Sequence, residues 1–185
     1  MHMQRQKILP LIAVGTLSSL GVGLLGPVYP IFVVNRFSAS LIDLGLLYTI
    51  ILLTAALVKA PAGRLVDLYG KEKIFFTGLM LGATCTLAYT FVTNILQLYF
   101  VELFFAAGYA LQRPALLAFI VDASDKDKRG LLLGTFESAY DIAEALAAII
   151  STIIVSQIGF ETLFLISSSC QATTGFFILK TAAKP

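Results

Sequence analysis

The stretch GRLVDLYGKEK, residues 63–73, interrupts two long oily runs with nearly every residue type those runs avoid. It holds a glycine near each end of a charged segment, a lone aspartate, Asp67, and the basic residues Arg64, Lys71 and Lys73. Around it, 58% of the 185 residues are hydrophobic and only 13% are charged. Soluble domains run at about 45–50% apolar and about 25% charged, so the solvent for most of this surface is lipid. Cys85 and Cys170 lie inside apolar runs without metal-ligand spacing, and the single histidine, His2, sits at the terminus. These exclude a disulfide framework, and they give histidine catalysis and metal binding almost nothing to work with. The first apolar run follows Arg5 and Lys7 but continues far past the core of a signal peptide, so it reads as a retained span.

Six apolar stretches can be marked off, at residues 8–34, 41–60, 74–92, 96–121, 131–155 and 160–179. Each has about the 20 residues needed to cross a hydrocarbon core as a helix. Strands would show ten-residue alternation, which is absent. Prolines 10, 27, 30 and 114 fall inside these stretches, where neighbouring helices can satisfy the freed carbonyls. Basic residues cluster at 5–7, 64–73, 126–129 and 180–184, against Arg36 alone in the opposite loops. The bias predicts an integral, multi-pass chain with both termini cytoplasmic. Stretches one and four, two and five, and three and six begin at a nearly constant offset. Three spans is an odd number, so the second triplet enters from the opposite side, an inverted three-plus-three repeat.

The opening stretch resembles the loop between helices two and three of the major facilitator superfamily, Gly-x-Leu-Ala-Asp-Arg-x-Gly-Arg-Lys. Gly63, Leu65, Asp67, Gly70 and Lys71 match, while Leu68 and Glu72 replace basic residues. LGVGLLGPVYP, residues 20–30, is similar to the Leu-Gly-x5-Pro-Val-x-Pro of the drug-efflux branch, through Gly21, Pro27 and Pro30. RPALLAFIVDASDKDKRG, residues 113–130, resembles the family's junction of helices four and five, with Pro114, Asp122 and Arg129 in place. The resemblance implies an all-α membrane protein, a six-helix bundle forming one half of a major facilitator fold. It implies a secondary transporter of a small molecule, of the kind found in a prokaryotic inner or plasma membrane, with neither cofactor, nucleic acid nor enzyme chemistry. It further implies a second six-helix half as partner, either another copy or the rest of a longer chain. Two departures stand against simple drug–proton antiport: Phe104 replaces the helix-four arginine, and ESAYDIAEALAAII (137–150) replaces the glycine-rich stretch of helix five.

The charges inside the spans are the candidate site. Glu137, Asp141 and Glu144 are spaced four and three apart in the fifth stretch and share a helix face. Ionisable groups at membrane depth are costly and normally face a bundle interior or a watery cavity. Arg113 in the fourth stretch lies at the depth of Glu137, so a structural pair with Glu137 or Asp141 competes with any functional role. Asp141 and Glu144 are the stronger candidates for binding substrate or a coupling proton. Glu102 and Lys59 rank behind them, Lys59 because it can snorkel. For Asp67 the expectation is a cap at a helix N-terminus, where partial positive charge suits a carboxylate. A scaffold that keeps the fold without transporting is the alternative function. An intramembrane aspartyl protease built on Asp141 lacks a second mid-membrane aspartate.

Overall fold

The computed structural model describes the backbone of residues 2–124 and 126–182 and the side chains of residues 13–124 and 127–180. Of the basic residues behind the expected orientation, Arg5, Lys7, Lys126 and Lys184 have side chains outside those described. The described residues form seven α-helices and one short 3₁₀ turn, with no strand. They are α1 (His2–Gly23), α2 (Tyr29–Phe37), α3 (Leu41–Tyr69), α4 (Lys71–Ala88), α5 (Ile95–Ala123), α6 (Arg129–Ile158) and α7 (Phe160–Ala182).

The first expected stretch, 8–34, is two helices. Gly26 and Pro27 break it: proline lacks an amide hydrogen, and its ring disfavours helical backbone at the residue before it. The segment Leu24–Val28 turns through tighter bonds, Leu25 N–H to Val22 O at 3.0 Å and Gly26 N–H to Gly23 O at 3.3 Å. Pro30 then sits in the first turn of α2, where a missing donor costs nothing.

By length and composition α3, α5, α6 and α7 can cross a membrane. Among the described residues the Ala13–Gly23 part of α1, the nine-residue α2 and the 18-residue α4, whose first turn is Lys71–Glu72–Lys73, fall short, so four spans rather than the expected six meet that measure. The 29 residues of α3 extend about 43 Å at 1.5 Å per residue, longer than an apolar core of about 30 Å. Its start is fixed by a capping box, Ser40 N–H to Asp43 Oδ2 at 2.8 Å and Asp43 N–H to Ser40 Oγ at 3.2 Å.

The packing has an internal two-fold. The α1 helix packs on α6 and α7, α5 packs on α3 and α4, and α4 packs on α7. Exchanging the first three expected spans with the last three maps α1 on α6 to α5 on α3, and α1 on α7 to α5 on α4, and returns α4 on α7 to itself. The junctions repeat as well. α3 and α4 are joined by Gly70 alone, at φ +89° with its N–H bonded to Val66 O. α6 and α7 are joined by Gly159 alone, at φ +87° with its N–H bonded to Val155 O. Both positions lie in the left-handed half of backbone space, which favours glycine.

Two buried clusters flank a close helix crossing. Toward the Gly70 end lie Phe75, Leu79, Leu116, Phe119, Ile120, Phe136 and Ile178. At the other end aromatic rings dominate: Phe32 packs edge-on against Phe164 at 4.8 Å, and Tyr89 lies 5.4 Å from the Phe164 ring. Between them α4 crosses α5 through Gly78 and Gly108, so close that a Cβ on Gly78 would lie 2.7 Å from Gly108 O. Small residues at a crossing let backbones approach, which is the main source of packing energy between helices in lipid. Buried polar side chains seal the contacts: Gln112 Nε2 donates to Gly78 O at 3.0 Å and Ser19 Oγ to Tyr140 O at 2.8 Å.

Candidate functional site

The stretch 63–73 folds differently from the loop it was expected to be. α3 runs on to Tyr69 and α4 begins at Lys71, so the connection is one glycine. Asp67 lies in the last turn of α3, exposed, with no hydrogen bond or ion pair among the described residues. The expected capping role is therefore wrong within this chain: a helix C-terminus carries partial negative charge and repels a carboxylate. Gly63 faces open space, with nothing within 4 Å of where a Cβ would sit, so it does not tighten a turn here. Arg64 and Lys73 are exposed. Lys71 is the anchored member. Its ammonium pairs with Asp122 in the last turn of α5 and lies 5.2 Å from the centre of the Phe119 ring. Arg129 starts α6, exposed, and that helix has no side-chain cap at its N-terminus.

Arg113 lies 3.5 Å from Glu137, the partner expected from depth, with its guanidinium 5.3 Å from the Tyr140 ring. Both members are partly exposed, so the pair braces α5 against α6 without the full cost of a buried charge.

Asp141 and Glu144 are both exposed and make no hydrogen bond or ion pair among the described residues. With Gly23, Gly26, Pro27, Ala145 and Ala148 they line a groove of about 380 Å³. The groove exists because the proline break opens α1 from α2 opposite the acid-bearing face of α6. Gly23 holds the two close, since a Cβ there would lie 3.1 Å from Glu144 Cα. Gly21 plays a packing part, its carbonyl accepting from Ser167 on α7.

Glu102 is the acid placed deepest, 1% exposed, although it ranked behind the others in sequence. Its Oε1 accepts from Tyr89 Oη at 2.7 Å. Tyr29 of α2, Tyr48 of α3 and Tyr89, which caps the end of α4, gather around it, an assembly no local sequence spacing signals. The only hint was a glutamate placed only seven residues into a span.

The sequence profile of the Major Facilitator Superfamily matches residues 11–180. The chain belongs to that superfamily. It is 27% identical over 145 residues to an uncharacterised MFS-type transporter of Methanocaldococcus jannaschii, covering 78% of this chain and 37% of the relative. It is 27% identical to multidrug resistance protein 2 of Bacillus subtilis, over 65% of this chain and 30% of that protein. Multidrug resistance protein MdtG of Klebsiella pneumoniae is 29% identical, over 62% of this chain and 28% of that protein. The fold matches the crystal structure of a bacterial homolog of the human lysosomal transporter Spinster in its inward-facing, unoccupied conformation. That match has a TM-score of 0.75 at 19% identity and covers 98% of this chain and 43% of the other. The chain thus spans about a third of the length of these curated relatives. It is an integral, multi-pass membrane protein with the helical fold of a major facilitator half.

Proposed function

We propose that this chain forms one half of a secondary transporter and moves a small molecule by alternating access together with a second six-helix unit. The observation that carries the reading is the open groove at the break between α1 and α2, which Asp141 and Glu144 line without basic partners among the described residues. Exposed carboxylates with no counter-ion among the described residues, beside a helix break in a membrane bundle, suit the binding and release of a cationic substrate or a coupling proton. The second unit, a copy of this chain or the remainder of a longer one, would cover α3 and α6. Only 11% and 17% of the residues in their apolar windows are buried, against 44% in α5 and 39% in α7. Gly45, Gly63, Gly130 and Gly134 on those two helices have open space beside them, as surfaces for a closely packed partner would.

In this reading Asp67 is a latch between units. Its charge disfavours its own helix end, whereas the uncapped N-terminus of a partner's α6 would welcome it for about 0.3–2 kcal/mol. That is enough to bias a conformation but not to hold a dimer alone. Both termini would face the cytoplasm from a prokaryotic inner or plasma membrane, following the basic residues.

The test is flux in proteoliposomes. Ethidium, a fluorescent probe chosen because two of the relatives are named multidrug resistance proteins, should move down an imposed pH gradient. Asp141→Asn or Glu144→Gln should abolish that movement while the chain stays folded in the bilayer. Unchanged flux in both variants would leave the acids a structural role. No flux under any gradient, with stable binding to another membrane protein, would favour the scaffold reading.

A further inference from the structure

The second acidic pocket lies on the other side of the same helix break and has a different character. It is a cavity of about 150 Å³ whose lining includes Gly26, Tyr29, Tyr48, Tyr89, Glu102 and Phe105. Its floor is the Glu102 carboxyl, 1% exposed, and its walls are aromatic. Tyr29 and Tyr89 lie 5.8 Å apart between ring centres, and Tyr89 and Phe105 6.2 Å. The exposed members, Gly26 and Tyr48, form the mouth.

Two features remain unexplained if this is merely core. A carboxyl this deep is normally paired with a buried base or held in its neutral form. Among the described residues Glu102 has no such base: its polar neighbours are the hydroxyls of Tyr29 and Tyr89 and, farther off, the Cys85 thiol. Arg113, the base on the same helix, is three turns away and engaged with Glu137. Tyr29 is also only 8% exposed, and its hydroxyl faces the same carboxyl from just outside close hydrogen-bond geometry. Both groups line the cavity.

We infer that this cavity binds the head group of a small organic ammonium ion, with Glu102 as its counter-charge and Tyr29, Tyr48, Tyr89 and Phe105 as its cage. Three arguments fix the class. Ring faces carry negative charge density and attract a desolvated cation, and such cages are how proteins hold methylated ammonium groups. A hard metal ion needs six or more oxygen ligands, whereas one carboxylate and two phenols meet it here. A space of about 150 Å³ is the size that holds a benzene-sized guest, and a trimethylammonium group has that size. The rest of a longer molecule would leave past Tyr48 and Gly26. Gly26 also borders the Asp141–Glu144 groove, so the two acidic sites share one wall at the hinge between α1 and α2.

The inference deepens the transporter reading by naming a substrate class, yet binding can be tested without transport. The purified chain in nanodiscs is titrated with choline and with 3,3-dimethylbutan-1-ol, the uncharged carbon isostere of the same shape. Choline should bind saturably by calorimetry and raise the melting temperature by a few degrees at ten times its dissociation constant. The isostere should bind at least tenfold more weakly. Glu102→Gln, which keeps the shape and removes the charge, should abolish choline binding while raising or preserving the melting temperature. Tyr48→Leu, at the exposed mouth, should weaken binding several-fold in a fully folded chain. Equal binding of choline and the isostere would reduce the site to an apolar cavity. Undiminished binding in Glu102→Gln, or no choline binding to folded wild-type chain, overturns the inference. Ethidium flux without choline binding sinks the cage and spares the transporter. Choline binding without flux of either compound does the reverse.

Discussion

Replacing Gly78 by alanine tests whether the α4–α5 crossing is as close as its geometry requires. A Cβ at that position would lie 2.7 Å from Gly108 O, 2.8 Å from Gln112 Cγ and 3.1 Å from Gln112 N. Two of these three are backbone atoms of the opposing helix and cannot rotate away, so α4 and α5 must separate. The separation would also strain the 3.0 Å bond from Gln112 Nε2 to Gly78 O. Overpacking of this kind costs about 1–3 kcal/mol, and a weakened hydrogen bond adds about 0.5–1.5 kcal/mol. Alanine's better helix propensity returns about 0.5–1 kcal/mol. The net loss of about 0.5–4 kcal/mol corresponds to a fall in melting temperature of about 1–16 °C for a chain of this size. Gly45→Ala is the matched control. It lies inside α3 with nothing within 4 Å, so only the propensity gain remains, and the melting temperature should rise by about 1–4 °C. Far-UV circular dichroism during thermal melts of the detergent-solubilised chain measures both. A Gly78→Ala chain as stable as wild type, or a Gly45→Ala chain that loses as much stability as Gly78→Ala, would refute the close crossing.

The Arg113–Glu137 pair should show a coupling energy of about 1 kcal/mol in a double-mutant cycle with Arg113→Ala and Glu137→Gln, modest because both side chains are partly exposed; strict additivity means no pair. Single cysteines at Ser38 and Asn94 should react with an impermeant thiol reagent applied outside the cell, and one at Lys126 should not; reversed labelling overturns the orientation. Cysteines at Asp67 and Leu131 should cross-link between chains and not within one, Leu131 being 73% exposed at the start of α6; intrachain products alone, or a monomer that still transports, would end the latch proposal. Lys71→Ala should loosen the α4–α5 end and speed hydrogen exchange in the last turn of α5, because Lys71 is the side chain that ties Asp122 to α4; unchanged exchange there would show the pair to be idle.

The fold class was legible in the sequence because lipid leaves the backbone few options. Long apolar runs with few charges must be helices, and their order, together with the residue matches at Gly63–Lys71, Gly21–Pro30 and Pro114–Arg129, carries the family. Partnerships along a single helix depth were legible too, since Arg113 and Glu137 follow from counting turns. The two-helix character of residues 8–34 was present in Gly26–Pro27 but ambiguous, because a membrane helix can absorb a proline when its neighbours satisfy the freed carbonyl. Where the connection at residue 70 shrinks to one glycine, the charged stretch becomes helix, since exposed helix ends outside the apolar core tolerate charge as well as a loop does. That change moved Asp67 from an expected helix start to a helix end. Burial was the property that only the tertiary structure decided. Asp141 and Glu144 sit at the greater sequence depth yet open onto a groove, whereas Glu102, nearer its helix end, is sealed by Tyr29 and Tyr89 from other helices. Depth along a helix is set by counting residues. Exposure depends on which face of the helix its neighbours cover, and here those neighbours come from other elements, some of them, like Tyr29, far away in the chain.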